Sequence, residues 1–88
     1  MRVADKPIVY THHAEHAMAE RDIAQAWVEA TVKAPDWVLP DETTIGAERR
    51  YRSIADRGNR ILRVACLESD DHIRIITAFF DRKARRAT

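Results

Sequence analysis

The strongest constraint on the fold is the stretch from Arg49 to Asp81, where three strand-length runs are separated by only two short turns. "RRYRSI" covers Arg49 to Ile54, "RILRVACLE" covers Arg60 to Glu68, and "HIRIITAFFD" covers His72 to Asp81. All are rich in β-branched, aromatic and aliphatic residues, which suit a pleated, partly buried surface. "ADRGN" turns the chain at Gly58–Asn59 and "SDD" turns it again, with residues that tolerate or cap tight bends. Loops this short predict antiparallel pairing of neighbours. In the second run Leu62, Val64 and Cys66 share one face, and Ile61, Arg63, Ala65 and Leu67 share the other. In the third, Ile73, Ile75, Thr77 and Phe79 oppose Arg74, Ile76, Ala78 and Phe80. Neither has a fully polar face, so both are expected to be central and partly covered on each side.

The first half reads differently. Ile8 to Tyr10 is a brief strand candidate, and Thr11 stands where a helix N-cap belongs. Ala14, Ala17, Met18 and Arg21 follow helical spacing in the segment that begins at His12. Asp22 is placed to cap a second helix, "IAQAWVEATVK", whose Ile23, Trp27, Ala30 and Thr31 share a face with Val28 beside them. Pro35 ends it, because the residue before proline avoids the helical region. Trp37 to Leu39, between two prolines, is a short strand confined to a sheet edge. The expected architecture is α+β: two N-terminal helices on one face of a small antiparallel sheet.

With 88 residues the chain is one domain with a small core. Its ordered part is expected over about residues 8–82, followed by a basic tail at 82–88. The lone cysteine, Cys66, allows no internal disulfide and suits a reducing compartment. With neither a signal-peptide core nor an apolar run near the roughly 20 residues of a membrane span, the expected location is the cytoplasm. Charge is unevenly spread. Residues 1–48 carry four Lys/Arg against nine Asp/Glu, residues 49–88 carry eleven against five, and the net values of −5 and +6 give +1 overall. Ten of those eleven are arginine, the side chain that grips phosphate bidentately. Such a half suits either a nucleic acid or an acidic protein partner.

"THHAEHAMAER" holds three of the four histidines. His12, His16 and Glu20 lie at i, i+4 and i+8, a line with zinc-ligand spacing. One helix face rarely completes a tetrahedral site, and the sequence has no HExxH or CxxC, so no native metal or cofactor is expected. His13 is offset from that line, in the first turn, where the helix dipole favours neutral imidazole. It can serve as a proton acceptor, or pack its ring against the sheet.

The phrases "YTHHAEHAMAERDI", "RRYRSI", "RILRVAC" and "IRIITAFFD" together resemble the small bacterial family catalogued as domain of unknown function 4258. Tyr10, His13, Ala14, Met18, Arg21 and Ile23 fall in register with its opening signature, while His16 stands where many members carry arginine. Leu62-Arg63-Val64 and Ile76-Thr77-Ala78-Phe79 match its strand phrases, and the resemblance runs from about Ile8 to Arg82. The family is in turn similar to RelE- and BrnT-type toxins, which implies a RelE-like fold and metal-independent RNA cleavage by one member of a toxin–antitoxin pair.

Such cleavage needs a base for the ribose 2′-hydroxyl, an acid for the leaving oxygen and cations for the charged phosphorane. The resemblance thus makes His13, Arg50, Arg52 and Arg63 the catalytic candidates. Arg49, Tyr51, Arg82, Lys83, Arg85 and Arg86 become candidates for RNA contact. Alternation puts Arg50 and Arg52 on one sheet face, Arg49 and Tyr51 on the other. The implied partners are RNA, on or off the ribosome, and a cognate antitoxin, without a membrane. The rival is a non-catalytic binding module, a degenerate toxin or a homodimer, in which His13 and Arg21 lock the helices to the sheet.

Overall fold

A computed structural model describes residues 6–84. The elements run β1 (Ile8–Tyr10), α1 (His12–Arg21), α2 (Gln25–Lys33), β2 (Trp37–Pro40), β3 (Glu48–Ile54), β4 (Arg60–Glu68) and β5 (Ile73–Phe80). The strands form one sheet in the order β1-β5-β4-β3-β2. β2, β3, β4 and β5 pair antiparallel, as their short turns require. The sheet is nonetheless mixed, not wholly antiparallel, because β1 lies parallel to β5. The helix pair makes this possible: it carries the chain across the sheet from the β1 edge to the β2 edge, with α1 over β5 and α2 over β4 and β3. A long crossover is what a parallel neighbour needs.

The first helix begins where Thr11 accepts the Ala14 N–H at 3.0 Å and donates to the Ile76 carbonyl at 3.2 Å. One hydroxyl thus caps the helix and ties it to the sheet. Asp22 does not cap α2. It ends α1 in the left-handed conformation (φ 55°), its N–H turned back to the Ala19 and Met18 carbonyls, a geometry that Asp tolerates better than most residues. The second helix therefore starts later, at Gln25, after Ala24 and without a side-chain cap. Its buried residues are Val28, Thr31 and Val32, so the core-facing stripe is rotated from the one expected. Ile23, outside the helix, is buried independently. Thr31 meets the cost of burial by donating to the Trp27 carbonyl at 2.8 Å.

One residue decides which side chains of β5 face which layer. Ala65 pairs with Thr77 but Cys66 pairs with Ile75, so Ile76 is an extra residue, a β-bulge. Strict alternation along β5 therefore fails. Ile73, Ile75, Ala78 and Phe80 turn to the helices, while Arg74, Thr77 and Phe79 turn to the open face. The turn before β4 follows the expected chemistry: Gly58 and Asn59 both have positive φ, 67° and 64°.

The core lies between helices and sheet, with Val28, Leu62, Val64 and Ile75 fully buried. Cys66 belongs to it, and burial pushes its thiol up to about 11. No helix among the described residues is long and apolar enough to cross a membrane. Leu62→Ala, which deletes a branched side chain at 0% exposure, is expected to cost about 2–5 kcal/mol. Urea denaturation followed by circular dichroism measures it.

Candidate functional site on the open sheet face

The helices cover only one side of the sheet. On the other side, strand pairing lines up four residues across four strands: Trp37 opposite Tyr51, Tyr51 opposite Arg63, and Arg63 opposite Phe79. The row is close-packed. The Trp37 and Tyr51 rings stack at 4.7 Å and 5°, and the Arg63 guanidinium sits 4.8 Å from the Phe79 ring centre. Directly opposed side chains on neighbouring strands are the natural unit of such contact. The bulge at Ile76 is what brings Phe79, in place of Phe80, into the row.

A cleft of about 380 Å³ opens over Trp37, Tyr51 and Arg63 of the row, between Leu39, Arg49 and the start of the C-terminal segment at Asp81 and Lys83. Arg63 donates to Asp81 at 3.2 Å and Arg49 to Asp41 at 3.0 Å. Each guanidinium has five N–H donors, so one carboxylate leaves donors for a second anion. The Trp37 Nε1–H is buried without a partner among the described residues. Hydrogen bonds from Thr43 and Arg49 hold the Asp41 carboxyl at about 2, below the ordinary 3.8.

The sequence candidates fall into three groups. Arg49, Tyr51, Arg63 and Lys83 come together at this cleft. Arg50 and Arg52 do not: they point under the helices. Arg50 donates to the Val32 carbonyl at 2.9 Å and to Glu48 and Glu68, and Arg52 donates to the Ala34 carbonyl at 2.6 Å. These are the unpaired carbonyls at the end of α2, where cations are favoured. Arg50, Arg52 and Arg63 therefore form no single site, since Arg63 is on the opposite face. His13 is exposed on α1, where Ala14 and Ala17 are the residues turned inward. Its ring is not packed against the sheet, and no hydrogen bond or ion pair joins it to the arginines among the described residues. Arg82 is exposed beside the cleft, and Arg85 and Arg86 lie outside the described residues.

His16 and Glu20 approach to 3.3 Å on the exposed side of α1. No group of three or more His, Cys, Asp and Glu side chains among the described residues is arranged to hold a metal. Sequence reasoning missed Trp37, Phe79 and Asp81. The signal for Trp37 was its aromatic ring in a strand-like run, but its neighbour depended on register. That for Phe79 was hidden by the bulge.

Fold and site together define a small α+β domain that presents an aromatic row with basic side chains on an uncovered sheet face. The chain belongs to the family described as domain of unknown function (DUF4258), whose profile matches residues 10–80. Comparison with curated proteins and with solved structures finds no match.

Two outcomes follow from these contacts. Arg50→Ala removes the donor to the Val32 carbonyl and to Glu48 and leaves Glu68 with Lys6 alone, and is expected to cost about 1–3 kcal/mol of stability, read from the urea midpoint. The second concerns acid. Asp41 is depressed in the folded state, so its contribution is present above the unfolded value near 4 and lost as pH falls towards about 2. Asp41→Asn should therefore flatten the melting-temperature profile between about pH 4 and 2; an unchanged profile would show that the Thr43 and Arg49 bonds carry no linkage.

Proposed function

We propose that this domain binds single-stranded RNA across its open sheet face. The observation that carries the reading is the row Trp37–Tyr51–Arg63–Phe79 with Arg49 and Lys83 beside it. Unpaired bases gain from aromatic and guanidinium faces, and phosphates from cations along the same groove. In this reading Phe79 and Arg63 offer stacking surface, Arg49 and Arg63 offer their remaining N–H donors, and Lys83 adds a mobile charge at the rim. Arg50 and Arg52 support the fold and touch no RNA.

The more specific form of the reading is a metal-independent ribonuclease toxin, similar to RelE- and BrnT-type proteins, held in check by an antitoxin. It draws on the resemblance and on the cationic face. The four-residue catalytic set of His13, Arg50, Arg52 and Arg63 receives no support from the geometry, because it is divided between the two sides of the sheet. That division favours the non-catalytic form, an RNA-binding module. Among the groups at the cleft, Asp81, Tyr51 and Lys83 are of types that serve as acids or bases, and the pairing of Asp81 with Arg63 and the stacking of Tyr51 on Trp37 tie those two to positioning.

Anisotropy of a labelled single-stranded RNA measures the proposal. Wild type should bind in low salt, Phe79→Ala should lose about 1–3 kcal/mol of affinity, and Lys83→Ala should lower the salt slope by about one. Absence of saturable binding by the folded wild type would overturn it. Induced expression in a bacterial host separates the two forms: growth arrest relieved by soluble His13→Ala supports the toxin, and normal growth at high soluble level supports the binding module.

A further inference from the structure

Three arginines outside the open-face cleft converge around Phe79 and Phe80 at the end of β5. Arg60 and Arg57 lie over the Phe80 ring, 4.6 and 5.2 Å from its centre. Arg57 is also 5.6 Å from the Trp27 ring, and Arg21 is 6.0 Å from Phe79. They come from three places: the end of α1, the turn before β4, and the first residue of β4. Together with Phe79 and Phe80 they line a cleft of about 330 Å³, within the range of about 300–1,000 Å³ that small-molecule sites occupy.

The charge at this corner is unbalanced. Among the described residues none of the three arginines makes an ion pair, although six other Lys, Arg and His side chains do. The nearby carboxylates form no ion pair with the three arginines among the described residues. Asp81 pairs with Arg63, Asp56 accepts the Trp27 Nε1–H at 3.4 Å, and Asp22 offers Arg57 only its backbone carbonyl at 3.2 Å. Like charges gathered without a counter-charge repel, and a bound anion removes that repulsion. The arrangement also has an aromatic floor, with Trp27 and Phe80 packed edge to face at 6.2 Å.

We propose that Arg21, Arg57 and Arg60, gathered around the Phe79 and Phe80 rings, form a binding site for a nucleoside monophosphate, free or as the 5′-phosphorylated end of an RNA. The guanidiniums take the phosphate, which accepts up to two N–H bonds from each planar fork. The base takes the place of one guanidinium against the Phe80 face. A phosphate or a base alone satisfies half the site. The site shares Phe79 with the open-face row but none of Arg49, Arg63 and Lys83, so the Arg60 and Lys83 variants, not Phe79→Ala, separate the two readings.

Titration of the folded chain with adenosine 5′-monophosphate, adenosine and inorganic phosphate, followed by amide resonances and tryptophan emission, tests it. Saturable shifts centred on Arg57, Arg60 and Phe80 are expected for the nucleotide, with adenosine and phosphate each weaker by about tenfold or more, a difference of about 1.4 kcal/mol. Arg60→Ala and Arg21→Ala, both at exposed positions, should each weaken the nucleotide by about fivefold or more at unchanged melting temperature. Lys83→Ala should leave it unaltered. A 5′-phosphorylated RNA that competes with the nucleotide, where its 5′-hydroxyl counterpart does not, assigns the terminal source; competition by neither assigns the free nucleotide. Equal, unsaturated shifts with phosphate and nucleotide, or full affinity in both arginine variants, would overturn the proposal.

Discussion

The structure depends on β4. It is the central strand, hydrogen-bonded along its length to β3 on one side and β5 on the other. Its Leu62, Val64 and Cys66 meet the helices, and its Arg63 and Ala65 belong to the open face. Burial of apolar area at about 25 cal/mol per Å² is the main term holding such a small domain together, and this strand supplies its densest part. The second helix packs directly on it through Val28 and Val32, and the Arg50 fork on β3 holds the end of that helix. Every candidate surface is then a question of which side of β4 a residue lies on.

Electrostatics follow from the same layering. The chain has an acidic first half and a basic second half, and the fold brings them together. Asp41 reaches Arg49, and Lys6 reaches Glu68, which also receives Arg50. Arg50 draws Glu48 and Glu68 to one point, and its bonds with those of Lys6 hold Glu68 below the ordinary carboxylate range. What is left over is concentrated. Arg21, Arg57 and Arg60 share one corner without an ion pair among the described residues, and Lys83 stands at the rim of the other cleft. Net charge near zero thus coexists with two local excesses of cation, which is the kind of surface on which anions are recognised.

The end of β5 supplies the Phe79 and Phe80 rings that line the arginine cleft, while Trp37 and Tyr51 line the other, and the bulge at Ile76 sets which way each phenylalanine turns. Phe79 is sent to Arg63 and the open face, and Phe80 to Trp27, Arg57 and Arg60. Without the extra residue the two rings would exchange sides, since the side-chain period of a strand is two. A single irregular backbone position therefore sets the cation–aromatic contacts of both rings, Phe79 with Arg63 and Arg21, Phe80 with Arg57 and Arg60. The histidines of α1 stay apart from both clefts, because the helix turns Ala14 and Ala17 to the sheet and leaves His12, His13 and His16 exposed, whereas its last residue, Arg21, lines one of them.

By itself the sequence determined the elements. Three strand runs, two tight turns, the Thr11 cap and the stop before Pro35 are local choices of propensity and backbone geometry, and all appear in the structure. The split of Arg50 and Arg52 from Arg49 and Tyr51 was legible too, because alternation needs no partner. Tertiary structure decided the rest. The parallel seat of β1 beside β5 and the extra residue at Ile76 are fixed by contacts distant in sequence. So are the two clefts, whose residues meet only after register is set between strands. Local periodicity says which way a side chain points relative to its neighbours; only packing says what it points at.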